Sequence, residues 1–261
     1  MAKATFQDLV EVMHELRQKC PWDKEQTFAT LRQFVIEEAY EVADAMDAVE
    51  REPLKLADEL GDLLFQVVFQ AELAKEKKWF DEGDICGGIR EKLVRRHPHV
   101  FGEVKADTSG QVLANWEVIK SAERKGGGVT SALDGVPRAM PSLLRAEKIG
   151  NRAARSGFDW RSIEQVLEKI EEELAEVRAA LNAKDTAAAG RELGDLLFAA
   201  AQAARFLDVN PEEASRAAVD KFEARYRHLE NSLKARNQTP KDVDDAELDR
   251  LWNAAKVALK S

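Results

Sequence analysis

Apolar residues recur at spacings of three and four along most of the chain, with charged residues filling the positions between. Val35, Ala39, Val42 and Met46 form one stripe. Leu60, Leu63, Leu64, Val67 and Val68 form a second, and Leu167, Ile170, Leu174 and Val177 a third. This is the period of an amphipathic helix, because 3.6 residues per turn bring every third or fourth side chain back to one face. Strand-like alternation is not sustained anywhere. The pattern predicts an all-α protein.

The helical pattern breaks at 125–141, where Lys125-Gly126-Gly127-Gly128 is followed by Gly135, Pro137 and Pro141. Glycine frees the backbone and proline removes an amide donor, so this segment reads as a linker. It separates an expected domain at 1–124 from one at 142–261. The two sides repeat each other. Glu59-Leu60-Gly61-Asp62-Leu63-Leu64-Phe65 returns as Glu192-Leu193-Gly194-Asp195-Leu196-Leu197-Phe198, and Glu37-Glu38-xx-Glu41 as Glu172-Glu173-xx-Glu176. Lys92 and Arg96 correspond to Lys221 and Arg225, and Trp116 and Lys120 to Trp252 and Lys256. The counterparts keep their order and stay 129 to 136 residues apart, as duplication of one helical-bundle unit requires.

The acidic residues change the picture from fold to chemistry. Glu38 and Glu41 share one helix face, and Glu59 and Asp62 share a face of the next. A turn is expected around Pro53, which suits the first position of a new helix. Glu41 stands about eight residues before that turn and Glu59 about six after it, so at roughly 1.5 Å per residue the arms differ by only about 3 Å. An antiparallel hairpin therefore sets both acidic pairs side by side. Glu173 and Glu176, then Glu192 and Asp195, repeat the arrangement around a turn at 182–185, with Asp185 the expected N-cap of the following helix. Clustered carboxylates repel, and protons, Lys or Arg side chains, or a divalent cation must offset them. Oxygen donors without His or Cys favour Mg²⁺, with Mn²⁺ as the alternative.

Charge and composition narrow the ligand. The chain has 261 residues, 33% of them charged, and a formal net charge of −9. No long basic run is present, which argues against a nucleic-acid polymer as partner. A small phosphorylated ligand remains compatible if metal and a few placed cations receive it. Lys221 with Arg225, and Trp252 with Lys256, are each four apart on expected helices, so each pair can face one ligand. An indole can stack on a nucleobase while the cations meet phosphate. The opposing reading pairs Lys221 and Arg225 with Glu223 or Glu230 and buries Trp252 in a core. Glu11 and His14 make a single ExxH, whereas a carboxylate-bridged di-iron site needs two. His97-Pro98-His99 could ligate a metal, but a loop or surface role is the favoured reading. The two cysteines, Cys20 and Cys86, form no CxxC, which fits a reducing cytoplasm. No stretch approaches the roughly 20 apolar residues of a membrane span.

The doubled EExxE and ExxD pattern resembles the MazG nucleoside triphosphate pyrophosphohydrolases, in their duplicated two-domain form. Cys20-Pro21-Trp22-Asp23, Lys148-Ile149-Gly150-Asn151-Arg152-Ala153-Ala154 and Gly157-Phe158-Asp159-Trp160 extend the resemblance through nearly the whole chain. It implies an all-α pyrophosphohydrolase fold, homodimerisation, and hydrolysis of an NTP or dNTP to the monophosphate and pyrophosphate. By the same resemblance Glu173, Glu176, Glu192 and Asp195 would ligate Mg²⁺, with Glu38, Glu41, Glu59 and Asp62 as N-terminal equivalents. Lys221, Arg225, Trp252 and Lys256 would contact nucleotide. Glu172 is the candidate proton acceptor. The C-terminal domain is the expected main seat of activity, although the first-half acids are intact. The alternative is a non-catalytic helical scaffold that binds nucleotide or regulates a partner.

Overall fold

The computed structural model describes residues 3–126 and 131–259; the side chains of 117, 121, 122 and 124–126 are outside that description. Among the described residues there are twelve α-helices and no strand. The chain divides into two compact units, Met1–Arg124 and Lys125–Ser261. Of the expected 125–141 linker, residues 127–130 lie outside the described residues. Among the described residues, no helix is long and apolar enough to cross a membrane.

The first unit contains α1 (Phe6–Lys19), α2 (Pro21–Glu25), α3 (Phe28–Asp47), α4 (Pro53–Glu76), α5 (Glu82–Arg96), α6 (Pro98–Phe101) and α7 (Ser109–Gly126). Thr5, Thr27 and Asp81 cap α1, α3 and α5 through reciprocal side-chain and backbone hydrogen bonds, which satisfy amides that have no partner within the helix. Pro53 occupies the first turn of α4, where its missing amide costs nothing. The core lies among α1, α3 and α4, where Met13, Leu31, Val68 and Phe69 are sealed from solvent. His14 does not serve an ExxH site with Glu11. Its Nδ1 instead meets the buried Glu72 on α4 at 2.7 Å. His97-Pro98-His99 is not a plain loop, because Pro98 starts the one-turn helix α6.

The second unit contains α8 (Ser142–Arg155), α9 (Ile163–Asn182), α10 (Thr186–Phe206), α11 (Pro211–Lys234) and α12 (Asp245–Ala258), with a short 3₁₀ turn at Pro240–Asp242. Ala146, Gly150, Ala189, Ala199 and Ala201 are buried, and these small residues let α8, α9 and α10 approach closely. A second cluster of Leu229, Leu233 and Leu251 joins α11 to α12. Gln202 is fully buried on α10; its amide donates to the Ala146 carbonyl of α8 at 2.9 Å. Its carbonyl oxygen accepts from Arg205 Nε at 2.9 Å, and Arg205 also clamps Asp159 in the turn ahead of α9. This chain of contacts fixes where α9 begins, and α9 carries half of the acidic residues described next.

Candidate functional site: two acidic hairpins

In the first unit α3 and α4 form the antiparallel pair joined by a short turn through Arg51. Glu38 and Glu41 from α3 meet Glu59 from α4, each offering one oxygen within 4.8 Å of the others. Asp62 is exposed and stands outside this group of three, although its charge still acts on Glu38. Burial, followed by the negative charges of Asp62, Glu41, Glu59 and Glu37, pushes the Glu38 carboxyl above its usual range. Glu59 is raised as well, by loss of solvent and by Glu41.

The second unit repeats the group with α9 and α10. Glu173, Glu176 and Glu192 present one oxygen each within the same 4.8 Å span. Asp185 caps α10 by accepting from the Ala188 amide at 2.9 Å, and so sets the helix that carries Glu192. Glu173 is buried, and its Oε2 is enclosed without a hydrogen-bond partner. Glu176 is raised by loss of solvent and by the charges of Glu173 and Glu192. Asp195 is exposed and outside the three-carboxylate group, like Asp62. Lys169, one turn ahead on α9, bridges Glu172 and Glu173, with Nζ 2.7 Å from each. The i,i+4 spacing of Lys169 to Glu173 is the signal in the sequence for this pairing. Glu172 is exposed and shares one oxygen with Lys169.

The expected phosphate- and base-contacting residues lie on α11 and α12. Lys221 is exposed and Arg225 half-buried, and neither has an ion-pair partner among the described residues. Glu223 pairs with Arg227 instead. The Arg225 Nε is buried with no hydrogen bond. Trp252 is half-buried; one side packs on Leu229, Leu233 and Leu251, and its ring lies 5.2 Å from that of Phe222. Phe222 in turn stacks on Tyr226 at 6.1 Å. Trp252 is thus both core and wall. Lys256 is exposed, with Nζ 3.3 Å from Asn253 Oδ1.

A helical hairpin gathers three carboxylates around one point, twice in one all-α chain, and each group could hold a hard cation. The model of the MazG nucleotide pyrophosphohydrolase domain matches residues 26–101 and again 161–230, so each match spans one acidic hairpin. The chain belongs to the MazG nucleotide pyrophosphohydrolase family. It is 46% identical over 254 residues to a nucleoside triphosphate pyrophosphohydrolase of Escherichia coli, covering 95% of each chain. It is 40% identical over 253 residues to the nucleoside triphosphate pyrophosphohydrolase/pyrophosphatase MazG of Thermotoga maritima, covering 96% of this chain and 95% of that one. A nucleoside triphosphate pyrophosphohydrolase of Mycobacterium tuberculosis is 35% identical over 153 residues, 58% of this chain and 45% of its own length.

Proposed function

We propose that this protein hydrolyses nucleoside triphosphates, ribo or deoxy, to the nucleoside monophosphate and pyrophosphate in a Mg²⁺-dependent reaction. The observation that carries the reading is the convergence of Glu173, Glu176 and Glu192 within 4.8 Å, in a chain similar over most of its length to two named pyrophosphohydrolases. The donor set suits the metal. It is all carboxylate, and it includes a buried Glu173 oxygen with no protein partner, as a hard divalent cation requires. Mg²⁺, or Mn²⁺ in its place, would be held by Glu173, Glu176 and Glu192, with Asp195 completing the set and Glu38, Glu41, Glu59 and Asp62 as the first-unit equivalents. When bound, it would supply positive charge to the triphosphate oxygens and lower the pKa of water.

The chain's own groups divide the remaining work. Glu172 keeps one oxygen free of Lys169 and accepts the proton of the attacking water. Lys221 and Arg225 have no ion-pair partners among the described residues, so they can meet the charge that develops on the leaving pyrophosphate. The wall of Trp252, Phe222 and Tyr226 gives a nucleobase a flat surface, and Lys256 extends the cationic rim. The exposed apolar residues Leu193, Leu197 and Phe198 on α10, and Leu60, Leu64 and Val67 on α4, fit burial against a second copy in a homodimer. Free Cys20 and Cys86 fit a cytoplasmic location.

The test is pyrophosphate release from a panel of NTPs and dNTPs with Mg²⁺ present or chelated. Glu173→Ala and Asp195→Ala are each expected to abolish release while the helical circular dichroism is kept; retained turnover in both would overturn the assignment. One observation favours a non-catalytic nucleotide-binding or regulatory scaffold, namely the pairing of Lys169 with both Glu172 and Glu173. That reading requires nucleotide binding with no pyrophosphate released from any member of the panel.

A further inference from the structure

The two units carry matching cations in different company. Arg96 of α5 is the counterpart of Arg225, and Trp116 and Lys120 of α7 are the counterparts of Trp252 and Lys256. One turn after Lys120, Glu123 closes on Arg96: Nη2 lies 2.6 Å from Oε2, and Nε 3.2 Å from the same oxygen. Arg95 Nε donates to Oε1 at 2.8 Å, so two arginines share one carboxylate. The Arg96 guanidinium and the Lys120 ammonium lie 5.5 and 4.3 Å from the centre of the Trp116 ring. Among the described residues of the second unit, no acid pairs with Arg225. Leu259 stands at the position matching Glu123, Ala224 replaces Arg95, and the Arg225 Nε is buried and unpartnered.

We propose that Glu123 takes the place of substrate phosphate on Arg96, and is the residue that steers nucleoside triphosphate to the second unit. The inference rests on the reading of Arg225 as a phosphate-contacting group. A planar carboxylate held by an arginine fork presents the same oxygens and charge that a phosphate would. A triphosphate entering the first unit must displace this carboxylate or bind without Arg96. Losing a charged hydrogen bond of that kind weakens binding roughly ten- to a hundredfold. The two arginines hold the Glu123 carboxyl down at about 2, so it stays charged at any physiological pH. The first unit keeps its acidic hairpin and forgoes the triphosphate.

The experiment counts binding sites by calorimetry, with Mg²⁺ and α,β-methylene-ATP, whose α–β linkage resists hydrolysis. Wild type is expected to bind one equivalent per chain and Glu123→Gln two, the second being lost when Glu38→Gln is added. One equivalent in both proteins, with helicity unchanged, overturns the proposal, as does a wild type that already binds two. None in wild type and one in Glu123→Gln supports the role of Glu123 and refutes the nucleotide reading of the second unit alone; none in either refutes both. Leu259→Glu tests the same idea in reverse at an exposed helix end, and so does not depend on whether the Glu123 variant folds. It is expected to raise KM for pyrophosphate release roughly tenfold or more, and an unchanged KM overturns the proposal.

Discussion

Gly150 sits on α8 against the buried Gln202, and a Cβ built there would lie 1.9 Å from Gln202 Oε1 and 2.7 Å from its Cδ. Gly150→Ala therefore forces the amide out of place. Overpacking of this kind costs about 1–3 kcal/mol. The displaced amide also gives up its bonds to the Ala146 carbonyl and Arg205 Nε, at about 1 kcal/mol each. Alanine recovers about 1 kcal/mol through its better helix propensity. The balance is a loss of about 2–4 kcal/mol, which in a unit of this size lowers the unfolding midpoint by about 6–15 °C. Differential scanning calorimetry reads that shift directly. A double-mutant cycle isolates the cause. In a Gln202→Ala background the clash is gone, so the same Gly150→Ala change is expected to be neutral or to stabilise by up to about 1 kcal/mol. A Gly150→Ala midpoint within about 1 °C of wild type, or an equal loss in both backgrounds, would refute the reasoning.

Other consequences can be checked alongside it. Mg²⁺ is expected to raise the unfolding temperature and chelator to reverse the rise; at a hundredfold excess over Kd one site contributes about 2.7 kcal/mol, and Glu173→Gln should remove the contribution of the second unit. Glu247 links Arg236, just past α11, to Arg250 on α12, and these arginines hold its carboxyl down at about 2 from an ordinary 4.5. A depressed carboxyl contributes stability above its unfolded value and loses it as pH falls through the folded one. Glu247→Gln should therefore be less stable than wild type at neutral pH, with the gap closing between pH 4.5 and about 2 in acid-titrated unfolding curves. Trp252→Ala should cost both stability and nucleotide affinity, since one side of the ring packs on Leu251, whereas Lys256→Ala should raise KM and leave the unfolding midpoint within about 1 °C.

Much of this arrangement was legible in the sequence, for definite reasons. Helical periodicity marked the elements, and nearly matched arm lengths on either side of a turn brought Glu41 opposite Glu59 and Glu176 opposite Glu192. Pro53 and Asp185 marked where α4 and α10 begin. The fourth acid of each set was less legible. Residues three apart share a broad face, but the rotation of one helix against another decides which of them reaches the centre. Glu59 and Glu192 do, while Asp62 and Asp195 stay exposed at the margin. The roles of Lys169 and Glu123 are not legible in this way, because each resembles an ordinary surface charge until its partners are known. The pairing of His14 with Glu72 depends on α1 meeting α4, 58 residues away, which no local spacing encodes.

The turn between α9 and α10 is only a few residues long, and Lys184 within it holds a left-handed backbone at φ 59°. A residue added there has no slack to occupy and must be drawn into a helix. Each residue taken into α10 turns its side chains by about 100°. A single insertion that turned α10 would thus swing Glu192 a quarter-turn or more away from Glu173, and would turn the buried Ala189, Ala199 and Gln202 with it. The hairpin can tolerate changes of side chain far more readily than changes of length, so substitutions rather than indels are the open route for remodelling this pocket.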